Sequence, residues 1–189
     1  MKKALLLLFV IACFGCSQAK NSDTVTDTNN TTDTQQQVTN NKPGNLQNKS
    51  DISKIPPFKL LTVEGKLFTE QDLKKHKPVM IIYFSPDCSH CTKFMEALKP
   101  KFNELKNVQI VMGTWIRVEA LKPFCDTFGL AKYPNFTVGT EGNGRYMIQE
   151  YYQIKETPYI AVYDRTGKLV KAYDKAPKVA ELMASIKKT

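Results

Sequence analysis

The sequence predicts an α/β domain over residues 55–189, built on a mixed central β-sheet with helices on both faces. Three observations predict it. From residue 58 onwards, short runs of branched and aromatic residues alternate with stretches whose apolar residues recur every three or four positions. One run, Val79-Met80-Ile81-Ile82-Tyr83-Phe84, is apolar throughout, as a strand buried on both faces is. Later, Tyr159-Ile160-Ala161-Val162-Tyr163 and residues 168–173 flank the turn Asp164-Arg165-Thr166-Gly167 and read as a β-hairpin, with one more helix after it. Alternating β and α followed by a hairpin and a helix implies a mixed sheet covered on both sides.

In chain order, residues 58–63 read as a strand and Glu64-Gly65-Lys66 as a turn. Thr69 is placed to cap a short helix running through Lys75. After the 79–84 strand, Cys91, Phe94, Leu98, Phe102 and Leu105 form the apolar stripe of a helix over residues 89–106, which Pro100 should bend. Residues 108–116 form the next strand, followed by a helix near 118–130 ending at Gly129. Residues 136–138 make a short strand and 143–152 a helix carrying Tyr146, Ile148, Tyr151 and Tyr152. The last helix covers residues 177–187. No internal repeat is present.

Before this domain the composition differs. Met1, Lys2 and Lys3 precede an apolar run over residues 4–14, too short for a bilayer span of about 20 residues but proportioned as a secretory signal peptide. The run ends in Cys13-Phe14-Gly15-Cys16, where a small residue before cysteine resembles a bacterial lipobox. Residues 1–15 are therefore expected to be a cleaved signal, with Cys16 the lipidated residue. The positions before Gly15 depart from the commonest pattern, and ordinary cleavage nearby is the alternative. Residues 16–54, rich in Asn, Thr, Asp and Gln, cannot bury enough apolar surface to offset their ordering entropy and read as a lipid-anchored flexible polar tether. Cleavage removes Lys2 and Lys3 and no acid, taking the net charge from +9 to +7. That basicity is dispersed, with no Lys/Arg block interleaved with aromatics, so nucleic acid is not expected as a partner. The expected location is the bacterial cell envelope, anchored and facing the periplasm.

The chemistry lies in Phe84-Ser85-Pro86-Asp87-Cys88-Ser89-His90-Cys91. A Cys-x-x-Cys pair here sits where a strand turns into the first turn of a helix. Free backbone N–H groups and the positive helix end favour a thiolate there. The two-residue spacer lets the sulfurs of Cys88 and Cys91 close a small disulfide ring. His90 lies inside that ring and, as an imidazolium, would stabilise a thiolate on Cys88. Asp87 and Ser89 complete the surroundings. Half of a zinc site is the competing reading, but zinc takes four ligands, and only Cys125, His76 and His90 remain, in no second paired motif. An inert structural pair is the other. Of the five cysteines, Cys13 leaves with the signal, and Cys125, among Leu121, Phe124 and Phe128, reads as a small buried hydrophobe. No cofactor or metal is expected.

These residues resemble the thioredoxin-fold thiol–disulfide oxidoreductases of the TlpA/ResA type, related to the AhpC/TSA proteins. The resemblance is carried by Ile55-Pro56-Pro57-Phe58-Lys59-Leu60 with Gly65-Lys66 and Leu73, by the Cys88 motif, and by Ile154-Lys155-Glu156-Thr157-Pro158-Tyr159-Ile160-Ala161-Val162-Tyr163-Asp164 with Gly167. It implies a thioredoxin-like fold with extra N-terminal strands and a helix–strand–helix insertion over residues 117–152. It also implies a cis proline at Pro158 beside the cysteines, with Thr157 and Pro158 binding substrate backbone. Disulfide exchange with partner proteins, and electrons from a membrane or periplasmic redox partner, are the implied activity, with a lean to reduction.

Departures from the pattern are specific. Asp87 stands where tryptophan usually precedes the first cysteine. Ile82 replaces the buried acid of thioredoxin, and Phe94 the acid of the ResA-type helix, so that Glu96 is the nearest candidate for proton transfer, with a solvated surface charge as its simpler reading. Two rival functions stay open. A thiol peroxidase would want a Thr where Ser85 stands and a nearby Arg. A tethered binding module would use the disulfide only as a staple. Copper delivery would want a longer cysteine spacing and a later His.

Overall fold

The computed structural model describes residues 51–142 and 144–189. The signal peptide, Cys16 and the tether up to residue 50 lie outside the described residues. The described part contains seven strands: β1 (Lys59–Thr62), β2 (Leu67–Thr69), β3 (Val79–Tyr83), β4 (Gln109–Thr114), β5 (Phe136–Thr140), β6 (Tyr159–Tyr163) and β7 (Leu169–Tyr173). Four α-helices join them: α1 (Ser89–Leu98), α2 (Leu121–Phe128), α3 (Met147–Tyr152) and α4 (Val179–Ile186).

The strands form one sheet in the order β2-β1-β5-β4-β3-β6-β7. The central β5-β4-β3 trio is parallel; β1 and β6 join it antiparallel, and β2 and β7 close the edges as hairpin partners. The mixed sheet is thus the expected one. All five residues of β3 are buried. Because strand side chains alternate between faces, Met80, Ile82 and Phe84 enter one core with α1, α2 and α4. Val79, Ile81 and Tyr83 enter the other, with α3 and the N-terminal segment.

Several elements differ from expectation, each for a local reason. The helix predicted over 89–106 is α-helical only to Leu98; residues Lys99–Lys101 tighten into a 3-10 turn, because Pro100 has no N–H to donate and its ring crowds the preceding turn. Pro100 therefore ends the helix rather than bending it. The short helix after Thr69 is a single 3-10 turn, Glu70–Asp72, held by the Asp72 carboxylate on the Thr69 N–H at 2.8 Å. Gly129, at φ 63°, terminates α2 as read. The strand predicted over 136–138 continues to Thr140, and the helix predicted from 143 starts only at Met147.

The tether was expected to run through Lys54, yet residues 51–54 pack on the domain. The Leu169 N–H donates to Ser53 O at 2.9 Å, Lys54 bridges Lys168, and the Tyr163 hydroxyl donates to Ile52 O at 3.2 Å. Tyr151 adds bonds to the carbonyls of Asp51 and Lys54. Polar composition concealed a segment held by its backbone rather than by apolar side chains.

Candidate active site

The site is assembled where β3 gives way to α1. The Phe84 N–H still donates to Gly113 O at 3.0 Å, carrying the sheet one residue past β3. Ser85 then folds the chain back: its carbonyl accepts the Cys88 N–H at 3.2 Å and its hydroxyl the Asp87 N–H at 3.4 Å. Cys88 itself is the N-cap residue of α1, extended at φ −85° and ψ 115°. Its side chain caps nothing, and the first turn carries no acid, so no carboxylate within the helix competes for its positive end.

The two sulfurs are in opposite situations. Both are present as thiols. Cys88 is half-buried and donates to Thr157 O at 3.4 Å. Burial is the largest single influence on it and opposes ionisation. Hydrogen bonding from Thr157, from Cys91, and from the backbone of Cys91 and His90 outweighs burial and holds the Cys88 thiol below its ordinary value. The Thr157 carbonyl contact works the other way, since only a protonated sulfur donates to it. Cys91, one turn further in, is 1% exposed, and burial pushes its thiol up to about 12. An ionised Cys88 beside it acts in the same direction.

Opposite the cysteines, the chain leading into β6 presents Thr157, half-buried, and Pro158, buried, joined by a cis peptide bond. The structure thus brings together Cys88, Cys91, Thr157 and Pro158. Asp87, Ser89 and His90 are exposed at the rim, and His90 shares a groove of about 420 Å³ with Thr157. Glu96 is exposed on α1 and Phe94 is buried, so neither supplies an acid to Cys91. Ile82 is buried in the α1 core, and β3 therefore offers no acid beneath the pair. Cys125 is 8% exposed in α2; burial first, then the charges of Glu64 and Asp126, push its thiol up to about 11. Among the described residues no group of three or more His, Cys, Asp or Glu converges as a metal site.

Two residues near the site escaped the sequence reading. Trp115, just past β4, lines the groove with His90 and Thr157. Glu141, just past β5, accepts the Ile148 N–H at 2.7 Å through Oε1, while its buried Oε2 has no partner; burial holds this carboxyl above its usual range. It interacts with Tyr83, whose side chain belongs to the core on the other face of the sheet from Cys91. The only signal for either residue was its place just beyond a strand end, where open α/β sheets carry their sites.

No curated protein sequence matches the chain. Among solved structures, it is similar to a secreted Mycobacterium tuberculosis disulfide oxidoreductase homologous to E. coli DsbE, at 21% identity and TM-score 0.59, over 70% of this chain and 96% of that one. A thiol-disulfide oxidoreductase from Bacteroides fragilis aligns at 16% identity and TM-score 0.58, over 71% and 98%. A peroxiredoxin-like protein from Aquifex aeolicus aligns at 18% and 0.58, over 72% and 85%. At these identities the likeness concerns the fold. The family model for the thioredoxin-like domain matches residues 65–188, from the β1–β2 turn through α4 and across both cysteines and the cis proline. The chain belongs to the thioredoxin-like domain family.

Proposed function

We propose that this protein is an extracytoplasmic thiol–disulfide oxidoreductase that reduces disulfides in partner proteins through Cys88 and Cys91. The observation that carries the reading is the division of labour between the sulfurs. One is reachable at a helix mouth and held below the ordinary thiol value; the other is buried one turn in and held as a thiol. In the first step the Cys88 thiolate attacks one sulfur of a partner disulfide. A Cys88–partner bond forms, the partner S–S bond breaks, and the other partner sulfur leaves as thiolate. In the second step Cys91 gives up its proton and attacks the Cys88 sulfur. The Cys88–Cys91 disulfide forms, and the remaining partner sulfur leaves and is protonated. Two electrons pass to the partner, and a dithiol donor of the envelope restores the pair. Thr157 and Pro158 offer backbone to the partner segment beside the sulfurs.

Direction rests on the TlpA/ResA resemblance, against the oxidising tendency of a stabilised thiolate. Export and anchoring at Cys16 rest on the basic, apolar and Gly15-Cys16 pattern of the first residues. Equilibrating the full chain with glutathione tests the central reading. A potential toward the roughly −270 mV end of the known dithiol range supports reduction, and one toward roughly −120 mV overturns that direction. A pair that resists dithiothreitol, with function intact in the double Cys→Ala protein, would favour a binding module instead. Rapid peroxide consumption would favour a peroxidase. Membrane-fraction protein lost on Cys16→Ser supports the anchor.

A further inference from the structure

Trp115 is the chain's only tryptophan, and at 36% exposure it is, among the described residues, one of three large apolar side chains left at the surface. It follows β4 at the sheet end where α1 begins. Its ring packs on Tyr83 with centroids 5.7 Å apart and planes tilted by 32°. The backbone beneath it is fixed: the Ile116 N–H donates to Thr114 Oγ1 at 3.2 Å, and the Thr140 hydroxyl donates to Thr114 O at 3.3 Å. An exposed aromatic held this firmly is pre-organised to receive something.

Its neighbours say what. Trp115 supplies the exposed apolar surface of a groove of about 420 Å³, backed by the buried Tyr83 and Ile154; Gln149 lines it as well, and His90 and Thr157 border it on the side of the cysteines. The same Thr157 carbonyl lies 3.4 Å from Cys88 Sγ, so Thr157 links the groove to the sulfur. A cysteine disulfide-bonded to Cys88 has its Cα about 5.5–6 Å from that of Cys88. An extended segment then advances about 3.3 Å per residue. Residues one or two positions from the partner cysteine therefore reach the groove. Lys155 and Glu156 at its edge carry opposite charges and give no preference for either sign.

We propose that Trp115 is a specificity-determining residue that selects extended partner segments carrying a bulky apolar side chain, aromatic above all, next to the reacting cysteine. The proposal rests on the thiol–disulfide reading of Cys88 and deepens it. Trp115 supplies from beyond β4 the aromatic surface that Asp87, before Cys88, does not. It touches the partner and takes no part in the exchange itself.

The test uses the full chain and three disulfide probes: glutathione disulfide, and two short peptides each carrying one cysteine as a glutathione mixed disulfide, flanked by Phe in one and Ala in the other. The wild type is expected to prefer the Phe peptide by roughly tenfold in kcat/KM, the discrimination an apolar pocket achieves. Trp115→Ala should abolish that preference through KM, the Phe peptide losing its roughly tenfold advantage over the Ala peptide, and Trp115→Phe should retain most of it. A direct readout accompanies the kinetics. In Cys91→Ser protein joined covalently to the Phe peptide, the single tryptophan's emission should shift to the blue, and with the Ala peptide it should not. Equal kcat/KM for the two peptides in the wild type, an undiminished preference in Trp115→Ala, or an unmoved emission overturns the proposal while exchange with glutathione disulfide continues. Absence of exchange with all three probes overturns the underlying reading, and the proposal with it.

Discussion

Cys88 and Cys125 belong to the same core, on the same face of the sheet, each on the helix beside a phenylalanine-rich interior. Their thiols nevertheless move in opposite directions, Cys88 below its ordinary value and Cys125 up to about 11. The difference is what surrounds each sulfur. Cys88 holds the N-cap position of α1, where Thr157, Cys91 and the backbone of Cys91 and His90 favour its thiolate. Cys125 lies inside α2, where backbone N–H groups are spent on the preceding turn, and α2 is itself led in by the 3-10 turn Val118–Ala120. Glu64 and Asp126 then add unfavourable charge. Burial opposes ionisation at both; at Cys88 hydrogen bonds from Thr157, from Cys91 and from the helix-mouth backbone outweigh it, and at Cys125 the opposing influences of Lys122 and the backbone do not. Reactivity here is a property of place rather than of residue type.

The largest effect that sharpens this contrast is on exchange itself. Cys88→Ser should reduce disulfide exchange to the uncatalysed background, whereas Cys125→Ser should leave the rate unchanged; a loss in both would break the comparison. Next, Cys91→Ser should accumulate Cys88 mixed disulfides with partners in cell extracts, visible as dithiothreitol-sensitive bands on non-reducing gels, and Cys88→Ser should not. Equal trapping would reverse the roles.

Third comes the pH profile of alkylation. At pH 6 an ordinary thiol is about 0.3% ionised, so iodoacetamide should label Cys88 ahead of a peptide thiol while Cys91 and Cys125 stay unlabelled. The absolute labelling rate of Cys88 should fall as pH drops through its lowered value, while its lead over the peptide thiol persists. Mass spectrometry of the labelled peptides reads this, and an unselective pattern would sink it. Thr157→Val, which removes a hydroxyl that favours the thiolate, should raise the pH needed for half-maximal labelling. The smallest effect is on stability. Cys125→Ala should cost about 1 kcal/mol at neutral pH, read by denaturant melts. The folded Cys125 thiol, at about 11, lies above its ordinary value near 9, so the unfolded chain loses its proton first. Stability therefore falls between those values, and Cys125→Ala should remove that slope.

Much of this arrangement was legible in the residues. The all-apolar 79–84 run, the Cys88-x-x-Cys91 spacing at the start of a helical stripe, and Thr157-Pro158 before a strand lie within contiguous stretches, and each landed where expected. What the sequence withheld depends on neighbours distant in the chain. Trp115 acquires meaning only because β4 lies beside β3, so that their ends emerge together. Glu141 is set apart from other loop acids only by Ile148 and Tyr83, which the fold brings to it. Residues 51–54 carry no apolar signal because main-chain groups hold them. The stop at Leu98 differs from the predicted bend for a local reason: Pro100 ends the helix in a 3-10 turn.

The docking of residues 51–54 has a consequence for approach. Their partners, Lys168 and Leu169, lie at the Val79 end of β3, while Cys88 and Thr157 lie beyond its Tyr83 end. The five residues of β3 separate the two poles by about 16 Å. Any leash arriving at Asp51 therefore joins the domain from behind.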